Sequence, residues 1–232
     1  MSGAAPEKQP RQPEWKELVE LSGDAGRAWL RRYREPRLLR LEQLGLDALA
    51  ALRAGQLEPG RRQLAELEAG LAALEDVPAS LRAIHDRWYF GVLAYYEYAA
   101  GESERAEACL QQAYDAVCRA IEADGFLILL ANHCQEFRLH QARIARSRND
   151  WREVRRYVEE AERMIGGEAP LCVLPGGRPI RVADMEAFCL SLPRPEGTPP
   201  YLSAIFDLGR HRKDFASFVE AIYVLPGFVL AY

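Results

Sequence analysis

Two imidazoles and a carboxylate stand close together in the chain, at His133, Glu136 and His140. Spacings of 3 and 4 put all three on one face of a helix. Imidazole with carboxylate is a donor set that suits zinc or iron. A complete centre needs further carboxylates and another histidine from other helices. With four histidines in the chain, His85 and Glu97 are the suggestive additions, and His211 is the remaining histidine. The competing reading is a histidine pair on an exposed or half-buried helix face, and on that reading no metal or other cofactor is expected.

A second constellation is aromatic. Trp88, Tyr95 and Tyr98 differ by 7 and 3 positions, so they share one helical stripe. Aromatic rings supply rigid contact area for a partner, and a nearby arginine grips a carboxylate with two bonds. The alternative is a core stripe, with arginines elsewhere in solvated ion pairs. No catalytic residue is assigned. The chain contains no Gly-rich phosphate loop after a strand, no GxSxG and no HExxH. A Cys134–His133 dyad is disfavoured because adjacent helical residues point about 100° apart. The basic run Arg210 to Lys213 is short, adjoins Asp214 and reads as a solvated turn.

These residues need helices to place them. Gly55, Gly101 and Asn149 are turn residues 46 and 48 positions apart. Seven positions before them stand Ala48, Ala94 and Ala142; five after come Gly60, Ala106 and Val154; nine after come Leu64, Leu110 and Val158. Small residues let paired helices cross closely, and the apolar third seals each hairpin. The pattern predicts three antiparallel hairpins, over about 36–54 and 57–75, 78–100 and 102–124, and 126–148 and 150–166. Pro36 suits a first helical turn, and Asp150 with Glu153 forms a capping-box-like start. Before them, 14–34 reads as two short helices or one broken at Ser22-Gly23. After Gly167, residues 171–182 read as a small β-hairpin or an irregular loop. A short helix follows, with Asp184 as its cap. Pro193–Pro200 reads as a linker, and 201–224 as a final helix pair, with an apolar end at 228–232 that packs back.

The small-large pattern, clearest at Leu93, Ala94, Gly101, Ala106, Leu110 and Ala113 and at Ala142, Asn149, Val154, Val158 and Ala161, resembles tetratricopeptide repeats and related helical-repeat proteins. The resemblance covers roughly residues 36–166. The spacing exceeds that family's 34 residues, so each helix is longer by one or two turns. Glu97 and Ala145 stand where the family carries a tyrosine, and its Lys/Asn carboxylate clamp has no counterpart. The resemblance implies an all-α, TPR-like (α-solenoid-like) stack of hairpins whose first helices line a concave, peptide-binding face. On that face it places Trp88, Tyr95 and Tyr98 from the second hairpin and Glu136, Arg143 and Arg146 from the third.

Composition narrows the class. At 232 residues and net charge −4 the chain is long enough for one well-buried core, and its charge argues against dedicated nucleic-acid binding. Arginine is abundant while lysine occurs three times, at positions 8, 16 and 213, a bias of GC-rich, bacterial coding. No apolar run is long enough for a membrane span, and the first residues lack a secretory signal. Five cysteines without a CxxC pair read as reduced thiols, several of them buried. The expected organisation is a disordered lead over 1–12, a helical-hairpin domain over 13–166 and a C-terminal segment over 167–232 that packs on it. The expected function is a non-enzymatic, cytoplasmic interaction module: an adaptor, or a neutraliser of a cognate partner, that binds another protein or peptide. Two alternatives remain. One is a helical di-iron-type metalloenzyme centred on His133, Glu136 and His140, since Glu-x-x-x-His also occurs in haem-oxygenase-like di-iron oxidases. The other is a structural subunit that docks through its apolar C-terminal tail.

Overall fold

Pro36 opens the first long helix, where its missing N–H costs no hydrogen bond. From there a computed structural model, which describes residues 15–193, carries the chain through three helix pairs. The short helices α1 (Trp15–Leu21) and α2 (Asp24–Tyr33) precede α3 (Pro36–Arg53) and α4 (Leu57–Ala72). Next come α5 (Ala79–Ala99) with α6 (Ser103–Ala123), and α7 (His133–Ser147) with α8 (Trp151–Ile165). The protein is all-α apart from a two-stranded antiparallel hairpin, in which Cys172 of β1 (Cys172–Val173) faces Ile180 of β2 (Pro179–Ile180). Helix α9 (Val182–Ser191) ends the described region. No helix among the described residues is long and apolar enough to cross a membrane.

The three tight turns share one geometry. Gly55, Gly101 and Asn149 have φ of 74°, 86° and 59°, the left-handed region that lets a helix stop within a residue. After each, the next N–H reaches back five residues: Gln56 to Ala51, Glu102 to Glu97 and Asp150 to Ala145, at 2.8–3.0 Å. The turn residue itself donates to Leu52, Tyr98 and Arg146. Orphan carbonyls at each helix end are thereby satisfied. All nine small or apolar positions around the turns are buried. At Gly60 a side chain would strike Leu52, which shows how closely α3 and α4 approach.

One core unites the first two hairpins with α1, α2 and the C-terminal elements, including Leu171, Ile180, Met185 and Cys189. The third hairpin adds its own seam, Ala142 and Ala145 against Val154, Tyr157, Val158 and Ala161. All five cysteines are buried free thiols.

Three local expectations are corrected. Helix α7 begins at His133 rather than 126, because Gly125–Asn132 winds as a 3-10 helix with Leu127–Ala131 all buried. Residues 126–131 have no polar face to turn outward, so the segment is enclosed on all sides. Asp150 does accept from the Glu153 N–H, but the Glu153 carboxylate turns to Arg156 at 3.0 Å instead of closing the box. Asp184 lies inside the first turn of α9 and accepts from the Arg181 N–H at 2.7 Å, so it supports the start without being the cap residue. The lead over 1–12, the 201–224 pair and the end at 228–232 lie outside the described residues.

Candidate binding cavity between α3, α5 and α7

Helices α5 and α6 form the most extensive pairing in the fold, while α5 and α7 stand farther apart. Between α5 and α7, closed by α3, lies an open-mouthed cavity of about 410 Å³. Its walls are mainly apolar: Leu46 and Leu49 from α3, Trp88, Val92 and Tyr95 from α5, Leu110 from α6, Phe137 and Ile144 from α7. A volume of this order, with apolar walls and few polar groups, is what ligand and anchor pockets have.

The polar groups enter mostly from α7. His133 Nδ1 donates to Glu136 Oε2 at 3.0 Å. Burial alone would raise the Glu136 pKa, but the His133 imidazole, with Arg87 and His140, overcomes it and holds the acid at about 2. Its side chain keeps about a third of its surface accessible, in keeping with its place in the cavity wall. One turn on, Arg143 Nη1 donates to His140 Nδ1 at 3.3 Å. Because guanidinium only donates, the neutral imidazole carries its proton on Nε2. Burial, reinforced by Arg143 and opposed by Glu136, pushes the His140 pKa down to about 4.

The structure thus brings Trp88, Tyr95, Tyr98 and Glu136 into one cavity wall, together with His133 and His140. Arg143 is buried behind His140. Arg143 and Arg146 both lie beside Tyr98, whose hydroxyl pKa rises through burial and is partly offset by Ser147 and these two cations. Trp88 has a double role: one part of the indole lines the cavity, while its Nε1 edge fills the notch that Gly45 leaves in α3. Among the described residues that buried Nε1 has no hydrogen-bond partner.

Among the described residues, no three His, Cys, Asp or Glu side chains converge as a metal site. His140 Nδ1 is engaged by a guanidinium, and neither additional candidate joins the group. His85 stacks on Tyr33 at 5.9 Å, and Glu97 faces Arg105 at 4.0 Å. Among the described residues these donors do not make up a di-iron ligand set.

Sequence spacing missed Arg53, Arg87, Leu46 and Leu49, which come from a different helix or an off-stripe position. It also missed Gly91, which lines the cavity in mid-helix. Five glycines lie within the described α-helices. At Gly26, Gly45, Gly60 and Gly70 an added Cβ would strike a neighbour; at Gly91 it would meet nothing within 4 Å. A helix-interior glycine costs about 1 kcal/mol relative to alanine, and no packing partner at Gly91 requires it.

No protein-family model matches the chain, and neither a curated protein nor a solved structure matches it.

Proposed function

We propose that this protein is an interaction module that takes a segment of another protein or peptide into the α3–α5–α7 cavity. The observation that carries the reading is the cavity itself, apolar and aromatic at its walls and open at its mouth. Support comes from the hairpin arrangement. The first helices of all three pairs line one hollow, as the resemblance to tetratricopeptide repeats implies. Rigid aromatic side chains at Tyr95 and Tyr98 offer contact area at low entropic cost, and among the described residues no constellation with catalytic geometry accompanies them. The module acts as an adaptor or as a neutraliser of its partner, in the cytoplasm.

A photo-reactive phenylalanine analogue at Tyr95 tests this in the cells of origin, with the same group at the exposed Leu190 as control. A discrete crosslinked partner at position 95 and not at 190 is expected. No crosslinked protein at 95, or an identical pattern at both positions, contradicts the proposal.

A further inference from the structure

Three of the five buried thiols meet, and they come from three different elements. Cys118 of α6, Cys134 of α7 and Cys172 of β1 are hydrogen-bonded to one another. Cys118 stands at the centre: the Cys134 thiol, the Cys172 thiol and the Tyr114 hydroxyl all turn to its sulphur. The Tyr114 oxygen also accepts the Val173 N–H at 3.3 Å, which ties the hairpin to α6 beside the cluster. These donors, Cys134 foremost, hold the Cys118 thiol well below the usual range against the effect of burial. The Cys172 thiol is pushed up to about 12, first by its bond to Cys118. Cys109 and Cys189 are pushed up to about 11 by burial, with Glu97 and Glu186 adding to the effect.

The cover over this cluster is thin. Val173, next to Cys172, is 46% exposed, and the β1–β2 ladder pairs two residues with two. So short a hairpin opens at lower cost than the long helices behind it, and hydrogen peroxide is little larger than water. Cys134 is sealed within α7 at 0% exposure, whereas Cys172 moves with the strand.

We propose that Cys118 and Cys172 form a peroxide-reactive dithiol that closes to a disulfide and pins the β1–β2 hairpin to α6. The Cys118 thiolate attacks one peroxide oxygen, the O–O bond breaks, and a sulfenic acid and one water result. The Cys172 sulphur then attacks the Cys118 sulphur; the S–S bond forms, the S–O bond breaks, and the second water leaves. Two sulphurs lose two electrons, the peroxide gains them, and the two thiol protons end in the two waters.

The whole protein, purified reduced and treated with a slight excess of hydrogen peroxide, tests this by alkylation in denaturant and peptide mass mapping. A Cys118–Cys172 linkage reversed by dithiothreitol is expected, with the other three thiols left free. Its formation should be at least tenfold faster than oxidation of Cys109, although Cys109 is 8% exposed and Cys118 3%. Cys134→Ser should still form the linkage, and Cys118→Ser should leave Cys172 at least tenfold slower to react. Circular dichroism melts check that both variants fold, and the wild-type map decides if either does not. Five unreacted thiols, oxidation in order of exposure, irreversible sulfinate at Cys118, or a Cys118–Cys134 linkage instead would each overturn the proposal.

Discussion

The Nε1 edge of Trp88 on α5 occupies the space that a side chain at Gly45 on α3 would fill. This contact closes one side of the cavity and sets how far apart the two helices lie. Alanine at 45 forces the indole or the helix to shift, and such overpacking costs about 1–3 kcal/mol. Urea unfolding of Gly45→Ala should show a loss in this range; an unchanged midpoint would show that the notch is not needed.

Gly91→Ala should act in the opposite sense. The position is helical and its Cβ would meet open space, so the substitution gains helix propensity without strain. A stabilisation of up to about 1 kcal/mol is expected, read as a higher urea midpoint. Destabilisation would mean that the volume beside α5 is already filled.

Acid should weaken the fold in two stages. The buried His85 has its pKa lowered to about 4, first by loss of solvation, against the pull of Glu42 and Asp86. His140 is lowered to the same value. The unfolded chain binds these protons first, so their contribution is complete above about pH 6.5 and is lost as pH falls towards 4. Glu136, held at about 2, contributes above about pH 4.5 and loses that contribution towards pH 2. For His85 the loss between pH 7.5 and 4.5 is roughly 2–3 kcal/mol. Urea unfolding at the two pH values measures it, and His85→Phe should flatten part of the slope. Equal stability at both would refute the burial of neutral imidazoles.

Asn149 is the one residue other than glycine with positive φ among those described. Asn149→Gly should be neutral or mildly stabilising, whereas Asn149→Val should cost about 1–2 kcal/mol because a β-branched side chain resists the left-handed region. Thermal melts distinguish the two. Equal effects would show that the turn relaxes out of that conformation.

The hairpin turns were legible in the chain because their causes are local. A residue that tolerates positive φ and small neighbours at fixed offsets are visible in one dimension. The aromatic stripe was legible for the same reason, since Trp88, Tyr95 and Tyr98 share one helix. Burial of Arg143 was not, because it depends on the register of α7 against the rest of the hollow. Gly91 carries no signal in one dimension, because its meaning lies in the open volume beside it, and Arg53 belongs to a helix 34 residues upstream of Arg87. The expected α-helix from 126 begins later because the unbroken apolar run 126–131 has no period that would separate 3-10 from α-helix.

One measurement addresses the cavity as a binding site most directly. In a Gly91→Cys variant the introduced thiol faces the open volume, while the five native cysteines are buried. Partner capture is measured before and after labelling that thiol under native conditions with a phenyl-sized reagent. The account predicts rapid single labelling at position 91, capture before it, and at least tenfold weaker capture after it. Labelled protein that captures its partner as well as before would contradict it.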